Sequence, residues 1–133
     1  MKVKLKTNDI KNINFFHKLT KAEVIDCLEN DIIYFVVAEG QYGLAVGKKG
    51  AKIKNAENKF NKKIKVFEFS EDLKQFAKNL VPEAEKVEID DDDVIYHVKK
   101  SDRAKIIGKE GRNINAVKEF LQRQFDVDNV KVV

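Results

Sequence analysis

The chain's 133 residues are 43% hydrophobic and 36% charged, enough for a packed interior but too few for a large catalytic core. Lysine and arginine number 26 against 22 acidic residues, and the single cysteine, Cys27, excludes an internal disulfide and a cysteine-based zinc site. The apolar runs are too short to span a membrane, and Met1-Lys2-Val3-Lys4-Leu5-Lys6 alternates charge with apolar groups where a secretory signal needs a continuous apolar segment.

Residues 8–19 put Ile10, Ile13 and Phe16 on one face of a predicted helix, with Asn8 or Asp9 as its cap. Val24 to Leu28 and Ile32 to Val37 read as strands joined by the polar turn Glu29-Asn30-Asp31. A short helix through Leu44 and Val46 runs into a glycine loop. Ile53, Ala56 and Phe60 then stripe a longer helix, and Ile64 to Phe69 closes as a strand.

The same order then begins again. Ser70 is the expected cap of a helix carrying Leu73, Phe76, Ala77 and Leu80, and Pro82 stops it. Val87 and Ile89 give a strand, Asp90 to Asp93 a turn, and Val94 to Val98 the partner strand. Ser101 is the expected cap of a short helix before a second glycine loop. Ile114, Val117 and Leu121 stripe the next helix, and Val130 to Val133 form the last strand. The expectation is an α+β chain of two units, residues 1–69 and 70–133. Each reads helix–strand–strand–helix–loop–helix–strand. No linker parts Phe69 from Ser70, and units this small have limited cores, so the two are expected to pack as one rigid unit.

Charge is divided unevenly between the halves. Residues 1–69 carry a net +6 and residues 70–133 a net −2, within a total of +4. Between Gly47 and Lys65, eight lysines are opposed by Glu57 alone. Such a patch attracts polyanions, although a merely solvated lysine face has the same composition.

Comparing the chain with itself is more telling. Val46-Gly47-Lys48-Lys49-Gly50-Ala51-Lys52-Ile53 matches Ile107-Gly108-Lys109-Glu110-Gly111-Arg112-Asn113-Ile114 at an offset of 61. All six glycines fall in Gly-x-x-Gly spacings, and the third pair, Gly40 and Gly43, leads into the first short helix without basic residues. A sharp loop between two helices uses glycine for unusual dihedrals and for close approach of backbone to ligand. The helix that follows presents unpaired amides and a positive dipole end, which suit phosphate. Lys48, Lys49 and Lys109 add charge there, and Ile53 and Ile114 can build an apolar wall beside a base.

The repeated [Ile/Val]-Gly-Lys-x-Gly-x-x-Ile loop resembles the KH domain signature, whose loop clamps about four nucleotides of backbone. A helix and hairpin before the loop and one strand after it resemble the type II arrangement. Two such units in succession resemble the archaeal NusA-like transcription factors. The runs from Phe35 to Lys48 and from Phe125 to Val130 are especially similar to that group. The resemblance covers roughly residues 5–133 and implies single-stranded RNA as partner, with a role in termination or antitermination on nascent RNA near RNA polymerase. Bacterial NusA proteins also carry a polymerase-binding N-terminal domain and an RNA-binding barrel; these residues resemble neither, so docking by the bacterial route is not expected.

Carried over residue by residue, the resemblance implies one clamp at Gly47, Lys48, Lys49 and Gly50, and another at Gly108, Lys109, Glu110 and Gly111. Glu110 departs from a basic loop and repels phosphate, so the second clamp is expected to be weaker or to use Arg112 and Arg103. Lys52 and Lys54 are auxiliary candidates for phosphate contact, a merely solvated role being the alternative for each. The alternative function is docking on polymerase or ribosome mainly through protein contacts, with weak RNA binding.

Other chemistry finds little support. The four aspartates Asp90 to Asp93 lack the remaining ligands of a calcium loop and fall where a hairpin turns. His17 and His97 lie in different halves without a cysteine or serine signature beside them. Cys27 reads as a small buried hydrophobe. Tyr34 and Tyr96 take similar places in the two hairpins, where packing is favoured over base stacking. Neither Gly-x-x-x-x-Gly-Lys-Ser/Thr nor Gly-x-Gly-x-x-Gly is present. A cytoplasmic, monomeric, non-enzymatic chain without cofactor or metal is expected.

Overall fold

A computed structural model describes residues 5–133. The alternating segment from Met1 to Lys4 lies outside the described residues. The chain falls into two compact units that part between Ser70 and Glu71.

In the first unit, helix α1 (Thr7–Thr20) precedes the antiparallel strands β1 (Val24–Glu29) and β2 (Ile32–Val37). The Asn30 side chain makes the turn between them by accepting from the Ile32 amide at 3.0 Å. Strand β3 (Lys63–Glu68) pairs parallel with β2, in the order β1-β2-β3. A parallel pair needs a crossover. Here it consists of helix α2 (Tyr42–Val46), a 3-10 turn at Lys48–Gly50, and helix α3 (Ala51–Phe60). The glycine loop is thus the corner of that crossover.

Phe16 stacks on Phe35 at 4.1 Å in a core completed by Cys27, Ile33, Val37 and Ala56. Two expectations for α1 need correction. Ile10 is 46% exposed, and Asp9 takes the inward position of the first turn at 4%. The inward face is Asp9, Ile13, Phe16 and Thr20, so Ile13 and Phe16 keep their expected places and only the first position passes from Ile10 to Asp9. The cap is Lys6, with extended backbone and no side-chain acceptor. Asn8 and Asp9 already lie inside the helix, where helical dihedrals deny them the cap geometry.

The second unit repeats the plan. Helix α4 (Leu73–Leu80) is followed by β4 (Lys86–Asp90), β5 (Asp93–His97), α5 (Lys100–Ile107), a 3-10 turn at Lys109–Gly111, α6 (Arg112–Gln124) and β6 (Asn129–Val132). The sheet order is β4-β5-β6, antiparallel then parallel. The α4 cap is Asp72, whose carboxylate accepts from the Gln75 amide at 3.0 Å, and not Ser70, which stands two residues too early. Ser101 is likewise no cap: α5 starts at Lys100 behind an extended Lys99, so Ser101 is already helical. After α4, the Lys78 ammonium donates to the Pro82 carbonyl at 2.9 Å and to that of Ala84, closing the turn to β4.

No helix among the described residues is long and apolar enough to cross a membrane.

Candidate nucleic-acid interface

The two glycine loops have one backbone conformation. Gly47 has φ 77° and ψ 171°, and Gly108 has φ 79° and ψ 171°. That combination is essentially reserved for glycine. Gly50 and Gly111 both have φ 74°. Between each pair lies a left-handed residue with a side chain, Lys49 at φ 54° and Glu110 at φ 56°. In each loop the amide of the second glycine donates to the carbonyl of the first at 3.1 Å. Repeating this conformation with different middle residues means that the glycines and the flanking helices impose it.

Close packing explains the first glycine. A Cβ on Gly47 would stand 2.7 Å from Lys52 Cγ and 2.9 Å from the Lys52 backbone nitrogen. At Gly108 the obstacle is Asn113, with Cγ at 2.9 Å. These two residues occupy equivalent positions and both reach back to a carbonyl. Lys52 Nζ donates to Thr20 O at 2.9 Å, tying α3 to the end of α1, and Asn113 Nδ2 donates to Lys105 O at 3.1 Å. The sequence reading of Lys52, a phosphate contact or a merely solvated lysine, does not include its anchoring bond, nor any role for Asn113. The signal was available in their equivalent places at the offset of 61.

The second glycine of each loop is the N-cap of the next helix and has no side chain to accept from it. The loop backbone supplies the first bonds instead: the Ala51 amide donates to Lys48 O and the Arg112 amide to Lys109 O. Lys48 and Lys49 are exposed in the first loop, as are Lys109 and Glu110 in the second. Ile53 and Ile114 are half-buried one turn into their helices; a Cβ on Gly50 would stand 3.7 Å from Ile53 Cγ2, and one on Gly111 would stand 4.0 Å from Ile114 Cγ2. A methyl group thus borders each bare glycine, with charge on one side and an apolar surface on the other. Glu110 Oε2 lies 3.3 Å from a guanidinium nitrogen of Arg112. Lys54 and Arg103 are exposed on α3 and α5.

The remaining polar candidates are absorbed by the fold. Tyr96 is fully buried and donates its hydroxyl to Ala77 O at 2.7 Å, while Tyr34 is 2% exposed and stacks on Phe67. Burial raises the pKa of both phenols. Cys27 is also buried, and desolvation drives its thiol far above the ordinary range, which suits packing and not nucleophilic attack. His17 donates from Nδ1 to Ala22 O at 2.7 Å, and His97 pairs across the strands with Glu88 at 2.8 Å. That hydrogen bond holds the Glu88 carboxyl below its usual pKa. Asp90 faces Asp93 across the hairpin, leaving Asp91, at φ 53°, and Asp92 as a two-residue turn.

A helix–hairpin–helix–glycine loop–helix–strand unit occurring twice defines a tandem KH protein. Residues 10–71 match the family described as KH domain, and residues 70–133 the one described as KhpA/KhpB, KH domain. The chain is 43% identical to the probable transcription termination protein NusA of Methanococcus vannielii, over all of its own length and 81% of that protein. It is 32% identical to the protein of the same name from Methanocaldococcus jannaschii, over 99% of this chain and 76% of the relative. The structure titled "Crystal structure of APE1850" superposes with a TM-score of 0.75 at 30% identity, covering 97% of this chain and all of that one. The chain belongs to the archaeal NusA-like family of tandem KH proteins.

Proposed function

We propose that this chain is a single-stranded RNA-binding protein, acting as a NusA-like transcription termination or antitermination factor on nascent RNA near RNA polymerase. One observation carries the reading: the same loop, opened by a glycine in dihedrals reserved for glycine and heading a helix without a side-chain cap, is built twice from non-identical residues. Gly47 and Gly50, like Gly108 and Gly111, let the strand approach the backbone. Lys48, Lys49 and Lys109 meet its phosphates, with Lys52, Lys54 and Arg112 adding charge nearby. Ile53 and Ile114 offer apolar surface to bases. The role is binding, not catalysis, in the cytoplasm, as a monomer and without a cofactor.

The termination side of the role rests on the names of the archaeal relatives, each a probable transcription termination protein NusA, and the place near polymerase on the resemblance to the NusA-like group. The test is direct. Lys48→Asp with Lys49→Asp turns two attractive phosphate contacts repulsive at exposed positions. Fluorescence anisotropy with labelled single-stranded RNA should show affinity falling by about 25-fold at 0.1 M salt, because two contacts carry about 1.4 of log–log salt slope. Wild-type affinity in a double variant of unchanged melting temperature would refute the reading.

A further inference from the structure

The end of α1 stands beside the first glycine loop. Lys52 packs its side chain over Gly47 and places its ammonium on Thr20 O, so one side chain spans from the loop to the last residue of the helix. A helix C-terminus by itself repels phosphate, because its last carbonyls carry the negative end of the dipole. Here those carbonyls are occupied. Phe16 O accepts from Thr20 Oγ1 at 2.8 Å, His17 O accepts from the Lys21 amide at 2.7 Å, and Thr20 O holds the Lys52 ammonium at 2.9 Å.

Two exposed lysines flank this neutralised end, Lys18 in the last turn and Lys21 at the C-cap. Lys21 has φ 67° and ψ 3°, the left-handed conformation that helix ends usually give to glycine or asparagine. Lys49 in the loop is also left-handed, at φ 54°. Both positions therefore carry a lysine at a cost in backbone strain. Among the described residues, no carboxylate pairs with Lys18, Lys21, Lys48 or Lys49. One pair of lysines adjoins Gly47 and the other adjoins Thr20, at the two ends of the Lys52 side chain.

The second unit has no such arrangement. At the offset of 61, Asn79 and Pro82 stand in the places of Lys18 and Lys21. Asn113, in the place of Lys52, bonds to Lys105 O in α5. Lys78, the basic residue in the last turn of α4, is held by the carbonyls of Pro82 and Ala84.

We infer that the RNA path of the first unit continues from its glycine loop over the C-terminal end of α1, where Lys18 and Lys21 are further phosphate contacts. The inference rests on the RNA-binding reading above and deepens it by giving the first unit a longer footprint than the second. A strand with successive phosphates engages both pairs of lysines at once. Lys52 serves this path by covering the carbonyl that would otherwise repel it.

The test is Lys18→Gln with Lys21→Gly in the whole chain, read by anisotropy with a labelled twelve-nucleotide single-stranded RNA across a salt series. Glycine takes the left-handed cap without strain and glutamine keeps the helix, so the melting temperature should hold or rise. Affinity should fall by about 25-fold at 0.1 M salt and the log–log slope by about 1.4, since each single-strand phosphate contact carries about 0.7. The control removes the same charge from exposed positions at the far end of the crossover, Lys59→Gln with Lys63→Gln. Lys59 lies about 12 Å along α3 from Ala51, beyond the Debye length of about 10 Å at that salt, and the control should lose less than about threefold. Should the Lys18 and Lys21 variant melt below wild type, Lys21→Asn alone is measured in its place and should lose about fivefold.

Equal losses from the two pairs would overturn the inference, because net charge and not position would then explain the effect. Unchanged affinity in the folded Lys18 and Lys21 variant, while Lys48→Asp with Lys49→Asp weakens binding, would overturn it and uphold RNA binding at the loop. A folded wild-type chain that binds no single-stranded RNA at any salt would instead bring down the functional reading, and this inference with it.

Discussion

Lys52 lies across Gly47. Its side chain begins where a Cβ on the glycine would have to be, and its ammonium ends on the carbonyl of Thr20. The loop is therefore clamped from the side by the helix it introduces. Gly47→Ala should destabilise the first unit by about 2–4 kcal/mol, combining a glycine-only conformation with overpacking. Gly40 also has a positive φ, +79°, but nothing stands within 4 Å of its missing Cβ. Gly40→Ala should cost only the backbone strain, about 1–2 kcal/mol. Urea titrations of the two variants compare them directly, and equal losses would contradict the packing account.

Lys49 and Glu110 hold the left-handed conformation with a side chain attached. Replacing either with glycine relieves strain of about 1 kcal/mol, partly offset by the flexibility that glycine adds to the unfolded chain. Lys49→Gly should therefore be neutral or slightly stabilising on melting while weakening RNA binding. A substitution that improves the fold and harms binding would mark Lys49 as a residue kept for its charge. A loss of stability above about 1 kcal/mol would argue for a structural role instead.

Tyr96 gives the buried Ala77 carbonyl a hydrogen bond of 2.7 Å. Tyr96→Phe leaves a buried acceptor unpaired and should cost about 1–3 kcal/mol. Denaturant midpoints measured with equal m-values decide it.

Glu29 receives hydrogen bonds from Lys62 at 2.7 Å and Asn12 at 2.9 Å, joining β1 to the turn before β3 and to α1. The Lys62 bond is the main reason its carboxyl lies below the usual pKa of 4.5. A depressed carboxyl contributes stability above its unfolded pKa and loses that contribution as pH falls through the folded value. The Lys62→Met variant should thus be less stable than wild type by about 0.2–1 kcal/mol at pH 7, with the difference closing in strong acid. A gap of constant size from pH 7 down to pH 2 would show that Lys62 acts through packing alone.

Because no linker residues stand between the units in the sequence, RNA length is a sensitive probe. KH clamps in general take about four nucleotides, so two clamps on one strand predict an affinity that climbs as a single strand passes roughly eight nucleotides and then levels off. Abasic spacers inserted in a twelve-nucleotide RNA should reduce that gain steeply. If four nucleotides bind as well as twelve, the two units do not share a strand.

Much of this architecture is legible in the residues. The β-branched and aromatic run from Ile32 to Val37, the stop at Pro82 and the twice-used glycine spacing each reflect a local constraint that few alternatives satisfy. What escapes is decided at longer range or by fine geometry. The helix caps fall on Lys6, Asp72 and Lys99 because a shift of one or two residues changes which backbone is still extended, and Asn8, Ser70 and Ser101 are all chemically able to cap. Asp9 replaces Ile10 on the inward face because packing fixes the rotation of α1, which composition does not specify. The Glu110–Arg112 pair depends on rotamers, which a linear pattern does not encode.

In both units the glycine loop lies inside the chain segment that must be drawn together before the last strand can add parallel to the central one. A hairpin forms in microseconds from near neighbours, whereas a parallel partner waits for its crossover to close. The loops are therefore expected to acquire their fixed conformation late, when β3 and β6 dock. Amides on β1–β2 and β4–β5 should gain protection in pulsed hydrogen exchange before those of β3 and β6. During synthesis, such an order would leave a growing chain with formed hairpins but without finished glycine loops until each closing strand has left the ribosome.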